Sequence, residues 1–504
     1  MKMKFIKNIF ATAAVVLAAG AFTACDYLDI EPENTVPSED VDYTNISDMY
    51  QPVSGCYAKI RTGNMHWIIN LLTNMRDGDI WSGRVDDQGD LVAMDKYVYN
   101  PSWWGTNEMW KQYYGMVKVC NRALESLDAY AANIKNDADM KKYRSYCGEV
   151  RTIRALAYFR LTQMFGDVTI MTYNEQSNLR PSKKEVVWEY ILQDLQYAMD
   201  NTPLVRPNEM EHIGAFSGYS AMALAAKVNL YKKDYAKVAE LTNAIIESRK
   251  FELYNDFYEL FKIPGRLCNE SLMECQVSDF GVGDGEYVGV DQFFACTGPS
   301  LSNATLGLNV GGWTFQGYYD TFLQWAAARG ETVRDETSFL RGGTTTRDGD
   351  AVGMPGNPLN TSVWNGKHYL PINQLTPGRT GYGQNNNVRI MRYADVLLMN
   401  AEAKVRQSQN GDAPFNLVRS RANMPELSGV TVQQILDERR MEFCGEWGEH
   451  YCDLVRTGEA ASVLGSRGWS EALAYYPIPT EQETLAVTLK YEPFTSLEEA
   501  LAQK

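Results

Sequence analysis

Residues 219–246 read YSAMALAAKVNLYKKDYAKVAELTNAII. Leu224, Val228 and Tyr231 fall at helical spacing and line one face of a first helix. After the turn Lys232-Lys233-Asp234, a second helix carries Tyr235, Val238, Leu241 and Ile245 on one face. Alanines between these positions let two helices approach closely, and so short a turn makes them antiparallel. One such pair cannot bury its apolar face alone, so neighbours of the same kind are required.

The chain on either side supplies them. From about Tyr113 to Met164, positions such as Val150, Ile153, Ala157, Leu161 and Met164 share a helical face. Val187, Ile191, Leu195 and Ala198 continue the pattern toward the quoted pair. This predicts several divergent tetratricopeptide-type helix pairs and no clean repeat array. Residues 262–386 differ, because they hold 20 of the chain's 39 glycines in runs such as GVGDGEYVGV, GGWTFQGYY and MPGNPLN. Gly and Pro at that density mean loops and short strands. Helical pattern returns in RYADVLLMNAEAKVR, where Leu397, Ala401 and Val405 recur every four residues. The expected fold is all-α, a scaffold of helix pairs (25–261 and 387–504) interrupted by one long Gly-rich excursion (262–386). Functional residues concentrate in such excursions.

With 504 residues, 45% of them hydrophobic, the chain can build a large core. Its formal charge of −15 argues against nucleic acid, which needs clustered Lys and Arg. Lys2, Lys4 and Lys7 precede an apolar run from Ile9 to Phe22, a secretory signal too short to span a membrane. The run ends Phe22-Thr23-Ala24-Cys25, a lipobox-like pattern that predicts cleavage after residue 24 and acylation of Cys25. The other reading is ordinary cleavage near Ala24, with Cys25 a structural thiol. Acyl chains on Cys25 would anchor the protein without a spanning helix. Loss of three Lys takes the mature charge to 45 − 63 = −18, and the acidic residues after Cys25 predict a body held off anionic lipid. Eight further cysteines lack metal-ligand spacing. Cys268 with Cys275 is the first disulfide to test, and buried thiols are the alternative.

Seven stretches in order carry a family resemblance. They are CDYLDIEPE, WKQYYGMVKVCNRALESL (110–127), RTIRALAYFRLTQMFGDV (151–168), RYADVLLMNAEA (392–403), FNLVRSRANMP (415–425), ILDERRMEFCGEWGEHYCDLVRTG (435–458) and YYPIPTEQE (475–483). Together they resemble the SusD/RagB family of outer-membrane lipoproteins. The resemblance implies a tetratricopeptide-like fold without enzymatic activity, exposed on the cell surface. It also implies a partner, a SusC-like TonB-dependent transporter capped by this protein, into which captured nutrient passes. That nutrient is most often an oligosaccharide, with oligopeptide in RagB-like members. The chain departs from the family at Asn423, where Gly is frequent, and after Glu483, where the usual ending is missing. His450 stands where Arg is usual before Asp453, so an ion pair there is expected to be absent or pH-dependent.

A sugar offers an apolar C–H face and a rim of hydroxyls, so its site needs an aromatic platform with polar side chains at the edge. Loop aromatics off the helical period are the candidates. Trp81 lies in RDGDIWSGRVDDQGD with Asp77, Asp79 and Arg84 near it, and Trp103 and Trp104 are adjacent in NPSWWGTNE. Trp313, Tyr318 and Tyr319 lie in GGWTFQGYYD and Trp364 in SVWNGK. In extended chain Trp103 and Trp104 point opposite ways, so one of them is expected to face ligand. Core packing is the competing reading for each loop tryptophan and the expected one for Trp110 and Trp188, both on helical pattern. Asp86, Asp87 and Asp90 read first as a solvated charge cluster. Calcium there is the secondary reading, since Trp81 and Leu91 break the EF-hand template; no other cofactor is expected. Glu438, Arg439 and Asp453 read as a buried ion network.

No nucleophile elbow, zinc motif or phosphate loop is present, and four scattered histidines offer no triad spacing. The leading function is glycan capture for a transporter. A peptide groove, a scaffold that binds only protein, and a lipoprotein hydrolase are the alternatives.

Overall fold

The computed structural model describes residues 41–64, 67–84, 86–176, 179–277, 293–354, 362–375 and 385–503. The apolar run of residues 9–22 and Cys25, on which the signal and acylation expectations rest, lie outside them. The principal helices are α1 (Gln51–Asn64), α2 (Trp67–Asn74), α3 (Trp104–Ala131), α4 (Asp137–Phe165), α5 (Lys184–Asn201), α6 (Gly218–Lys232) and α7 (Tyr235–Glu247). After the excursion come α8 (Tyr393–Arg406), α9 (Asp412–Arg421), α10 (Val432–Glu442) and α11 (Glu449–Thr457). The fold is helical, with helix pairs stacked side by side.

The turn between α6 and α7 shows why the pair forms. Ser217 caps α6 by accepting from the Ser220 N–H, and Lys233 ends it in the left-handed conformation at φ 62°. Asp234 at once caps α7 by accepting from the Lys237 N–H. One residue stops a helix and the next starts another. The stack runs α1, α3, α4, α5, α6, α7, each packed on the next, and α8 closes on α7 from beyond the excursion. The stripe Val150, Ile153, Ala157, Leu161 and Met164 is wholly buried in it.

Buried charges tie the two helical parts together. Lys227 on α6 reaches Asp395 on α8 at 2.8 Å and Glu449 on α11 at 2.6 Å. Arg439 on α10 holds Asp395 and Asp453 at 2.7 Å each. Glu438 is not in that group: it takes Arg334 at 2.6 Å and Arg329 and Arg419 at 2.8 Å. Successive helical residues diverge by about 100°, so neighbours in sequence serve different networks. His450 leaves Asp453 to Arg439 and Arg456 and instead places Nδ1 2.8 Å from Asp79. The Cys268 thiol is free, so the Cys268–Cys275 bridge is not formed.

The excursion combines short antiparallel strands, some paired with strands outside it, with short helices that its glycine content did not lead one to expect, the longest Asp320–Ala328. β1 (Ile80–Ser82) pairs with β5 (Gln316–Tyr318), and β2 (Ser271–Cys275) pairs with β9 (Val388–Arg392). β3 (Leu301–Asn303) pairs with β4 (Leu308–Val310) and β7 (Ala351–Val352), and β6 (Phe339–Arg341) pairs with β8 (Val363–Asn365). The pairing of β1 with β5 matters most here, because it carries the loop 311–315 to the N-terminal ends of α2 and α3.

Candidate ligand-binding site

Where that loop arrives, five aromatic rings meet. Trp103 is the N-cap of α3 and Trp104 its first residue, and their rings lie 5.5 Å apart. Trp104 stands edge-on to Trp67, the first residue of α2, at 5.6 Å. Trp67 in turn meets Trp313 at 5.9 Å and Phe315 at 5.8 Å, and Trp313 lies 5.5 Å from Phe315. Trp103 and Phe315 are buried and support the rest. Trp67 and Trp313 are half-buried, whereas Trp104 is 48% exposed. The result is a continuous aromatic surface with one ring held out into water. A contiguous aromatic patch that reaches solvent is the kind of surface that marks a binding site.

The loop that presents Trp313 is fixed from below. The Trp313 N–H donates to the Ala295 carbonyl at 2.8 Å and the Phe315 N–H to that of Cys296 at 2.8 Å. Gly312 has to be glycine, because a Cβ there would run into the Gly298 and Pro299 carbonyl oxygens. Thr314 sits at φ 58° and donates from its N–H to Gly298 at 3.0 Å. The platform is therefore built before any ligand arrives, which lowers the ordering cost of binding.

A polar edge runs from Trp104 along the solvent face of α3. Glu108 and Lys111 follow at i+4 and i+7, with 3.6 Å between their charged ends. Gln112 donates to Glu108 at 2.5 Å and accepts from Lys59 Nζ at 2.7 Å. On the other side Asn107 donates to Glu481 at 2.7 Å and accepts from Gln482 at 2.8 Å. Carboxylates, amides and ammonium groups beside stacked indoles are what a ring with an apolar face and a hydroxyl rim requires.

Three of the residues expected from sequence thus come together: Trp103, Trp104 and Trp313. Of the adjacent pair, Trp104 faces solvent while Trp103 folds back over Gly105. Four others are corrected to structural roles. Trp81 is 1% exposed, because β1 pairs with β5 and its ring lies over Gly317, where a Cβ would sit 2.7 Å away. Trp364 is fully buried in the core of the excursion among Phe294, Leu340 and Tyr369. Tyr318 packs between Phe322 and Phe339 at 5.6 and 4.9 Å. Asp79 is buried and doubly bonded by Arg440, and burial's upward push on its carboxyl is outweighed by His450 and Arg440, which bring it to about 2. Arg84 is paired with Asp86 at 2.5 Å and follows Gly83, whose N–H donates to the Phe315 carbonyl at 2.6 Å, and Asp90 accepts from Asn100 at 3.0 Å. Among the described residues, the three potential metal ligands that converge are Asp77, Asp79 and His450, and Arg440 already occupies that spot. Trp67 and Phe315 join the cluster without being singled out in the sequence. Trp67 opens the apolar helix WIINLLTN, and a search confined to loop aromatics passes over it.

The comparisons with known proteins bear on this geometry. A sequence profile described as "Starch-binding associating with outer membrane" matches residues 26–230, and one described as "SusD family" matches residues 309–492. The chain belongs to the SusD/RagB family. A SusD-like protein of Bacteroides ovatus is 25% identical over 386 residues, 69% of this chain and 64% of that protein's length. SusD-like protein P38 of Formosa agariphila is 23% identical over 92% of this chain and 94% of its own. Among solved structures, surface glycan-binding protein A from Bacteroides thetaiotaomicron in complex with laminarihexaose superimposes with a TM-score of 0.73. It is 22% identical, with 88% of this chain and 98% of that one covered, which makes the likeness one of fold. In this SusD/RagB chain both profiles reach the platform, through Trp67, Trp103 and Trp104 in the first and Trp313 and Phe315 in the second.

Proposed function

We propose that this chain is a surface glycan-binding protein whose ligand stacks on Trp104, Trp67 and Trp313. The observation that carries the reading is the continuous aromatic surface ending in a half-exposed Trp104 beside the polar face of α3. A peptide groove would instead offer an extended strand edge with unpaired backbone groups. The laminarihexaose complex of a protein with the same fold supports the choice of glycan. The protein acts by capture and release, without cleaving what it binds. It delivers the glycan to a SusC-like TonB-dependent transporter in the outer membrane. Its anchor is the acylated Cys25, and its body faces the cell exterior. Family membership and the lipobox-like Phe22–Cys25 support these steps.

The test is a binding screen of the mature chain against plant, host and microbial polysaccharides, repeated on each hit with Trp104→Ala and Trp313→Ala. Each stacked ring is worth about 1–3 kcal/mol, so affinity falls by about five- to 150-fold. Retention of full affinity in both variants would refute the assignment. Co-purification with a SusC-like transporter, lost when Cys25→Ala releases the protein from the membrane, tests the delivery step.

A further inference from the structure

A second concave site lies elsewhere on the molecule and shares no residue with the platform. It is a cleft of about 740 Å³ between α4, α5 and α6 on one side and α11 with the segment 458–475 on the other. Five aromatic residues line it: Trp188, Tyr231, Tyr451, Trp469 and Tyr475. Their polar ends are largely satisfied within the walls. Trp188 Nε1 donates to Thr162 at 3.1 Å, and Tyr231 accepts from Gln163 at 2.7 Å. Trp469 Nε1 donates to the Tyr451 hydroxyl at 3.1 Å, which donates onward to the Ala474 carbonyl at 2.9 Å. Tyr475 rests one face of its ring on Gly166. Arg76, held between Tyr451 at 4.3 Å and Tyr476 at 4.0 Å, closes the cleft off from α2, where Tyr476 donates to the Leu72 carbonyl. The cleft is thus a separate site and no extension of the first.

Its charge selects the guest. Arg456, at the base, is neutralised by Glu402 at 2.6 Å and Asp453 at 2.8 Å. At the rim Lys184 pairs with Glu185 at 3.1 Å, and Lys233 and Glu471 add one charge of each sign. The rim thus carries two cationic and two anionic side chains. A purely apolar guest would strip water from Lys184, Glu185, Ser470 and Glu471 without replacing it. Aromatic walls, a balanced polar rim and the volume of a drug-sized ligand suit a neutral polyhydroxylated ring compound. We infer that this cleft is a second carbohydrate site, taking a short neutral oligosaccharide of about two or three sugars. The inference rests on the glycan reading of the platform.

The test uses the full mature chain and a panel of neutral di- and trisaccharides built from glucose, xylose, mannose and galactose. Titration calorimetry is run on the wild type, on Trp104→Ala/Trp313→Ala, which disables the platform, and on that double variant with Trp469→Ala added. Ser470→Trp, at an exposed rim position, blocks the cleft without removing a buried contact. The expected result is one site per chain retained in the platform variant for at least one sugar. Its affinity falls tenfold or more with either Trp469→Ala or Ser470→Trp. If the platform variant binds nothing while the wild type binds glycan, the second site is refuted and the proposed function stands. Binding that survives both cleft changes also refutes it. No glycan bound by the wild type would overturn both readings.

Discussion

Trp81 and Trp104 look alike in sequence, each beside glycine and acidic residues, and the fold gives them opposite roles. Trp81 is sealed by a strand from residues 316–318, a contact that local sequence does not announce. Trp104 stands at the first turn of a helix, where its neighbours leave it half uncovered. Trp81→Ala is therefore expected to cost about 3–5 kcal/mol of stability by leaving a cavity, seen as a lowered melting temperature. Trp104→Ala leaves stability within about 0.5 kcal/mol while weakening glycan. A different residue contributes to the dependence of stability on pH. Glu149, on α4, is buried and accepts from the Tyr50 and Tyr57 hydroxyls at 3.0 and 3.1 Å. Burial outweighs those bonds and pushes its carboxyl from 4.5 up to about 8. The folded state holds the proton that the unfolded chain releases, so this stability is complete below pH 4.5 and is lost as pH rises through 8. The loss is on the order of 4 kcal/mol. Glu149→Gln, which still accepts from both tyrosines, should reduce the fall in melting temperature between pH 5 and 8; curves parallel to the wild type would show that Glu149 does not contribute to it.

Helices were the readable elements. The period in α4 and in the α6–α7 pair follows from which side chains must be buried, and the turn at Lys233-Asp234 has caps written in its residue types. The strands of the excursion were legible only as a class. β1 and β5 are two ends of a pairing about 235 residues apart, each three residues long, too short for any alternation to show. The same holds for the ion networks, where Glu438 and Arg439 are neighbours in sequence and serve different partners. Two predictions belong to this scale. Gly312→Val drives a side chain into the Gly298 and Pro299 carbonyls, displaces the segment carrying Trp313, and lowers glycan affinity with the helical core intact by circular dichroism. Wild-type affinity in that variant would mean the loop does not position the platform. Asp395→Asn leaves Lys227 and Arg439 short of a buried counter-charge and should cost about 3–5 kcal/mol in denaturant unfolding. A loss below 1 kcal/mol would show that the network is not needed to join α6 to α8.

At the scale of the molecule, a stack of helix pairs forms a rigid frame, and the excursion folds back to meet its N-terminal ends. The platform aromatics then come from three places distant in sequence: the start of α2, the start of α3 and the loop 311–315. Sequence singles out aromatics in two of the three, because an aromatic in a Gly-rich loop stands out and one at the head of an apolar helix does not. The acidic chain bears on partners as well. A charge of −15 disfavours anionic glycans over neutral ones except where Lys59 on α1 and Lys111 on α3 offset it, so affinity for a neutral glycan should change little with salt. The central claim is that ligand sits on the Trp104–Trp67–Trp313 surface and not on the aromatics buried beneath it. The most direct measurement is titration of the best-binding glycan from the screen into the wild type and into Trp67→Ala, Trp104→Ala, Trp313→Ala and Trp81→Ala, each checked for folding. The account predicts loss of affinity in the first three and wild-type affinity per folded molecule in Trp81→Ala. Wild-type affinity in all three platform variants would contradict it.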